Sequence, residues 1–292
     1  TMNFFKRLFN GVAETPEEEQ KEQAARDFDV LKYDGVAAMR QHVFDYAEKC
    51  FIHALDIHDD LEIHDYLSQA CIQLGKLPEA ISQLRILADA EPENLNIWLR
   101  MAGVAYIMED YDTMAMACEK ARAIDDANPR ANYDYARALI GKNDAATAVE
   151  FLTKAIEKCG GEPYWEAYLL RGQTWLDLGK VAEAEHDADF LLCHIPDHED
   201  ALILKACCQD AQNMTAEAIE TLDKALSANP FCASALEQRA RLKHLLGDEQ
   251  GAEDDEKQLH ELAPEDGNAA PDKAEDIADT TEKAYKNINS FA

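Results

Sequence analysis

The densest group of metal-capable side chains is Asp56-Ile-His58-Asp-Asp-Leu-Glu-Ile-His64-Asp65. Imidazole beside carboxylate suits a transition metal. Here the two histidines straddle an interval read as a loop between helices, so their spacing fixes no ligand geometry. Asp59 or Asp60 reads better as a helix cap. His194, Asp197 and His198 are interrupted by Pro196 and read the same way. A second chemistry would be anion binding by Arg171, Lys205 and Arg239, which recur every 34 residues. Asp187 follows Arg171 by sixteen residues, however, and Asp255 follows Arg239 by sixteen. That offset sets each acid on the next helix, facing its own arginine, so ion pairs within a hairpin are expected. Lys205 has Thr221 at the same offset, and its partner is not evident.

Motifs that cradle phosphates or build a catalytic centre are missing. A chain with only 12 glycines carries no GxGxxG and no P-loop, and neither GxSxG nor HExxH occurs. The expectation is a protein that is not an enzyme, with no cofactor and no metal. Asp+Glu 58 against Lys+Arg 28 gives 28 − 58 = −30. Nucleic acid is therefore excluded as a partner, since phosphate binding draws on Lys and Arg displacing counterions. Wholesale contact with anionic membrane is disfavoured by the same charge.

Cys50, Cys71, Cys118, Cys159, Cys193, Cys207, Cys208 and Cys232 include no CxxC pair, and most lie inside apolar helical runs. Free cysteine there is a small buried hydrophobe, which points to a reducing, cytoplasmic setting. No run of about 18 apolar residues exists to span a membrane, and Met2–Asn10 lacks the apolar core of a signal peptide.

What must position these residues is a repeat. Pro196, Pro230 and Pro264 lie 34 residues apart, and Pro92 lies three such periods plus two residues before Pro196. The two extra residues sit at Gly160-Gly161. Units then begin near residues 61, 95, 129, 165, 199 and 233. Their eighth place reads Ser68, Ala102, Ala136, Gly172, Ala206 and Ala240. A small side chain at one place in every unit means that two helices approach closely there. The twentieth place (Ala80, Met114, Ala148, Ala184, Ala218, Ala252) falls on a second helix. Between the helices lie turn signals such as Leu74-Gly75-Lys76 and Lys142-Asn143-Asp144. One helix pair cannot bury its own apolar face, so the pairs must stack.

Trp98-Leu-Arg-Met-Ala-Gly-Val-Ala-Tyr106 followed by Asp110-Tyr111-Asp112, and Tyr168-Leu-Leu-Arg-Gly172 followed by Leu178-Gly179-Lys180, Ala184 and Pro196, resemble the tetratricopeptide repeat family, as a bacterial-type multi-repeat array. The resemblance covers residues 61–266. Met114 in place of Ala, Asp126 in place of Pro, and the Gly-Gly insertion depart from the pattern. It implies an all-α fold, a right-handed superhelical solenoid of antiparallel helix pairs. Three segments are expected: an N-terminal segment 1–26, with 11–26 a solvated helix or linker; an array of about seven units over 27–266, the first degenerate; and an acidic linker with a capping helix over 267–292. In the last, Ile277, Thr281, Tyr285 and Ile288 recur on a helix from 272 to 287.

The family resemblance further implies that the first helix of each unit lines a groove, with its second, fifth, ninth and twelfth places pointing inward. In the middle of the array those places supply Leu99, Tyr106, Arg130, Tyr133, Arg137, Leu169, Gln173, Leu176 and Ile203. An apolar floor with a few polar anchors suits a peptide or helix of a partner protein, the work of a scaffold or adaptor. The bland alternative is that half of these residues pack against the neighbouring unit. The lysine, asparagine and arginine set with which some family members hold a chaperone tail's terminal carboxylate is not reproduced. A second reading comes from Phe4, Phe5, Lys6, Arg7 and Phe9. These could anchor a membrane-peripheral adaptor, dock into a hydrophobic groove, or do neither.

Overall fold

The computed structural model describes residues 15–161 and 163–262. Among them are fourteen α-helices and no strand. They fall into two compact units divided at Met108/Glu109.

The first unit holds α1 (Pro16–Arg40), α2 (Phe44–Ile57), α3 (Leu61–Gln73), α4 (Leu77–Ala90) and α5 (Leu95–Ile107). The second holds α6 (Tyr111–Ile124), α7 (Pro129–Gly141), α8 (Ala145–Lys158), α9 (Trp165–Asp177), α10 (Val181–His194), α11 (Glu199–Ala211), α12 (Thr215–Ala228), α13 (Ala233–Leu246) and α14 (Glu249–Leu262). Within each unit every helix packs against the next one in the chain, and α9 also touches α11. That is the nearest-neighbour organisation of a stacked repeat array.

Each hairpin turn is made by one residue in the left-handed region. His42, Gly75, Glu109, Asn143, Gly179, Asn213 and Gly247 have φ between 55° and 80°, and all occupy the same place in their repeats. The residue after it bonds back over five positions, as in Lys76 N to Cys71 O at 2.9 Å and Asp144 N to Leu139 O at 2.8 Å, which closes a Schellman-type helix end. Glycine and asparagine were legible there. His42 and Glu109 adopt the same conformation against their intrinsic preference, because the hairpin leaves no other path.

The first helix begins earlier than the repeat does. Thr15 caps it through a reciprocal pair with Glu18 (Thr15 N to Glu18 Oε2 2.9 Å; Glu18 N to Thr15 Oγ1 3.3 Å), and α1 runs on without a break at residue 27. In α2, Ala47, Phe51 and Ala54 are fully buried, as the second helix of a first hairpin requires. The eighth place of that hairpin is Gly35, where an added Cβ would lie 2.5 Å from the Phe51 ring. The same place at Ser68, Ala102, Ala136, Gly172, Ala206 and Ala240 is buried throughout.

Where each second helix meets the following repeat, the twenty-fourth place reads Phe51, Leu84, Cys118, Leu152, Ala188 and Leu222, all fully buried. In α14 this place is Glu256, and the places three before and four after it are Glu253 and His260; all three are exposed. The final second helix thus presents charge where its predecessors present a stacking surface. The hydrophobic reason for a further capping helix is therefore absent at this place. The expected helix over 272–287 lies outside the described residues.

The recurring cations at the seventh place form the expected hairpin ion pairs. Arg171 holds Asp187 in a two-point contact (Nε to Oδ2 2.9 Å, Nη2 to Oδ1 2.7 Å). Arg239 holds Asp255 likewise at 2.9 and 2.5 Å, with Lys243 Nζ at 2.9 Å from the same carboxylate. The structure adds a backward arm. Sixteen residues upstream, on the preceding second helix, Tyr135 finds Glu119 (3.1 Å), Lys205 finds Asp189 (2.9 Å), and Arg239 finds Asp223 (2.7 Å). Arg171 reaches Thr153 at 3.0 Å, an offset of eighteen rather than sixteen because the Gly-Gly insertion intervenes. Lys205 also meets Glu185 at 2.6 Å. One side chain per repeat thereby stitches its own hairpin to the one before.

Two tests follow from the packing. Leu222→Ala should cost about 2–5 kcal/mol by emptying a filled site, whereas Glu256→Ala at the equivalent terminal place should change stability by no more than about 0.5 kcal/mol. Equal losses in urea titrations of the two variants would show that Glu256 lies in a stacking surface like that of Leu222.

The ion pairs give a pH signature. Burial works to raise the Asp255 carboxyl, but the hydrogen bonds and charges of Arg239 and Lys243 outweigh it and hold it below the ordinary range. Hydrogen bonds from Lys205 and Gln212 hold Glu185 down in the same direction. A carboxyl depressed in the folded state stabilises it fully above its unfolded pKa of ~4, and the benefit fades as pH falls through the folded value. Asp255→Ala should therefore cost roughly 2–3 kcal/mol at pH 7. That is below the ~3–5 of a fully buried pair, because Arg239 keeps Asp223. The gap to wild type should begin to close below about pH 5 and go on closing as pH falls through the depressed folded value. A gap independent of pH would assign the loss to packing.

Candidate peptide-binding face

In the second unit the first helices of successive hairpins are α7, α9, α11 and α13. Direct contacts join them along one side. The ring of Tyr133 on α7 lies 5.0 Å from that of Tyr164, the residue capping α9. An added Cβ on Gly172 of α9 would meet Leu204 of α11 at 2.5 Å. Cys207 of α11 donates to Gln238 of α13 at 2.9 Å, and Arg241 of α13 reaches Asp210 of α11 at 2.7 Å.

Along this side two kinds of place alternate. The third, eighth and tenth places of α7, α9 and α11 are buried (Ala131, Ala136, Ala138; Ala167, Gly172, Thr174; Ala201, Ala206, Cys208). The fifth, ninth and twelfth remain part-exposed or exposed (Tyr133, Arg137, Ile140; Leu169, Gln173, Leu176; Ile203, Cys207, Asp210). Since i, i+4 and i+7 share one helix face, the second set forms a ribbon of surface over three consecutive helices.

Packing fixes the ribbon's apolar members from below. Leu169 and Leu176 rest on the cluster of Ala184, Ala188, Leu204 and Cys208. Ile203 rests on the cluster around Leu202, Leu222 and Leu236. Each therefore shows one side to the core and one to solvent, so the bland reading and the binding reading each describe part of the same side chain.

At the α7 end, Asp134 is buried between two arginines, with Arg130 Nε at 3.4 Å and Arg137 Nη1 at 3.6 Å. The Arg137 guanidinium also lies 5.5 Å from the centre of the Tyr133 ring. Burial, with the Asp134 charge adding to it, pushes the Tyr164 phenol up, so it stays a neutral hydroxyl at physiological pH. Asp134 and Tyr164 were missed in the sequence. Asp134 sits four residues after Arg130 and three before Arg137, a spacing that could have revealed it.

Leu99 and Tyr106 belong to α5, in the other compact unit. Leu99 is only 9% exposed and offers little surface, whereas Tyr106 is 39% exposed. Phe4, Phe5, Lys6, Arg7 and Phe9 lie outside the described residues. Of the metal-like clusters, His64 is spoken for: its Nε2 meets Asp59 at 2.7 Å and its Nδ1 meets Gln83 at 2.6 Å. Asp60 is the N-cap of α3, bonding the amides of Glu62 and Ile63, and His58 packs edge-on to Phe28. Among the described residues no three His, Cys, Asp or Glu stand together as a metal site, and no helix is long and apolar enough to cross a membrane.

Residues 199–232 match the family model of the tetratricopeptide repeat. No curated protein matches the chain. Several solved structures share its fold. A tetratricopeptide repeat protein from Parabacteroides merdae superposes with a TM-score of 0.68 over 86% of this chain and 97% of its own, at 14% identity. PilW, a type IV pilus biogenesis factor, gives 0.61 over 68% and 92%, at 20% identity. PilF of Pseudomonas aeruginosa gives 0.57 over 70% and 92%, also at 20%. At such identities the likeness is one of fold alone. One repeat is matched in sequence and the remaining hairpins carry the same small-residue and turn pattern, so the fold is that of a tetratricopeptide repeat array.

Proposed function

We propose that this protein is a non-catalytic scaffold that holds a peptide or helix of another protein on the ribbon formed by α7, α9 and α11. The observation that carries the reading is the alternation just described: three successive first helices keep the same three places open to solvent. Those places carry a tyrosine, four aliphatic side chains, an arginine, a glutamine, a cysteine and an aspartate. Stacked helical repeats build extended binding surfaces of this kind. The half-buried Tyr133, Leu169, Leu176 and Ile203 would provide most of the affinity, while Arg130, Arg137 and Gln173 would orient the guest. The net charge of −30 favours encounter with basic partners and argues against nucleic acid.

A reducing, cytoplasmic setting fits the cysteines. Cys50, Cys71, Cys118, Cys208 and Cys232 are buried and unpaired. Burial pushes the thiols of Cys71 and Cys208 up to about 11 and about 12, which leaves little thiolate to react.

Peptides selected from a displayed library on the full chain provide the test. Gln173→Glu changes an exposed position of the ribbon without emptying the core or touching the Asp134 ion pairs. The selected peptides should bind this variant at least about tenfold more weakly, a loss of ~1.4 kcal/mol or more, while its melting temperature stays close to wild type. Peptides that bind both proteins equally would place the working surface elsewhere.

A further inference from the structure

Among the described residues, no helix packs on the α1 side of the first hairpin. Aligned on Gly35, α1 places Val30 at the third and Ala37 at the tenth position of the repeat. In the six later repeats the third place (Ile63, Ile97, Ala131, Ala167, Ala201, Ala235) is between 0% and 6% exposed, and the tenth (Ala70, Val104, Ala138, Thr174, Cys208, Leu242) is buried in every case. On α1, Val30 is 58% exposed and Tyr33, one turn on, is 70% exposed; Ala37 is exposed as well. Val43 and Tyr46 of the same hairpin are about half exposed. These apolar side chains are bordered by the exposed acids Asp27, Asp29, Asp34 and Asp45, and also by the exposed Arg26, Arg40 and Lys49. In the last described hairpin Glu253, Glu256 and His260 are exposed, and so are Leu245 and Leu246, at 66% and 57%.

We propose that residues 4–9 of this same chain cover the apolar face of α1, standing in for the helix that precedes α1 in the repeat pattern. Phe4, Phe5, Leu8 and Phe9 supply the apolar atoms, and Lys6 with Arg7 meets the bordering acids. The reach is sufficient. Val30 lies fourteen residues along the helix from Pro16, about 21 Å at 1.5 Å per residue. Ten residues separate Phe5 from Thr15, enough for about 33 Å when extended. Attachment to the same chain holds the segment at high effective concentration, so a short, weak contact is populated without a partner. Displacing it would expose an apolar surface on α1.

Photo-cross-linking of the full chain tests this directly. With Phe5→p-benzoylphenylalanine, irradiation at low concentration should give an adduct of monomer mass. Trypsin should place it on Asp27–Lys32 or Tyr33–Arg40. Tyr33→Asp, which lies on the surface and leaves the helices folded by circular dichroism, should lower the adduct yield at least fivefold. An adduct of dimer mass only would assign the face to a second copy. An adduct on lipid, with none on α1, in vesicles containing phosphatidylserine would assign residues 4–9 to a membrane. No adduct on either peptide, or one indifferent to Tyr33→Asp, would overturn the proposal.

Discussion

In six hairpins, each inside one compact unit, a helix passes its partner at a residue with almost no side chain: Gly35, Ser68, Ala136, Gly172, Ala206 and Ala240. The tightness of that crossing is plain at Gly35, where even a methyl group would strike Phe51. Close approach aligns the two helices, and the turn between them must then reverse in three residues, which demands a left-handed residue at one place whatever its type. A hairpin so formed has an apolar face that only another hairpin can bury. The stack, the polar stitches between hairpins and the ribbon of first-helix surface all depend on this crossing.

Because the hairpins are locked by small residues, the larger side chains are free for other duties. The seventh place is apolar at Leu67 and Met101, and from Tyr135 onward it becomes Tyr, Arg, Lys and Arg. In those later repeats each side chain finds an acceptor on the preceding second helix. Several acids that make the chain so negative are spent in this way. Asp187 and Asp255 are buried under their arginines, and Glu185 and Asp189 share Lys205. Net charge therefore says less about partners than the count of acids implies. The ribbon carries Arg130 and Arg137 at one end and Asp210 toward the other, closer to balance than the chain as a whole.

Much of the fold was legible because a 34-residue period samples the same physical environment repeatedly. Place 8, the hairpin turns and the Arg–Asp offset of sixteen all depend on contacts within one hairpin, which the sequence numbers directly. Contacts between hairpins were harder. The backward reach of Lys205 to Glu185 and Asp189 was invisible, since attention fell on the forward offset and met Thr221. The loop from Ile57 to Leu61 is one residue shorter than that from Ala90 to Leu95, which shifts the first repeat by one and hid Gly35. The switch from Leu222 to Glu256 was present in the sequence. Its meaning emerged only when the earlier residues at that place proved completely buried. On the candidate face, the spacing of Asp134 to Arg130 and Arg137 shows that the three side chains can meet, but not that the carboxylate is buried beneath them.

Hydrogen–deuterium exchange of the full chain, with and without a selected peptide ligand, tests most directly whether the ribbon is the working surface. Added protection should concentrate in residues 129–141, 165–177 and 199–211, the three first helices. The intervening second helices, 145–158, 181–194 and 215–228, should change much less. Protection that falls mainly on the second helices, or outside residues 129–211 altogether, would contradict it.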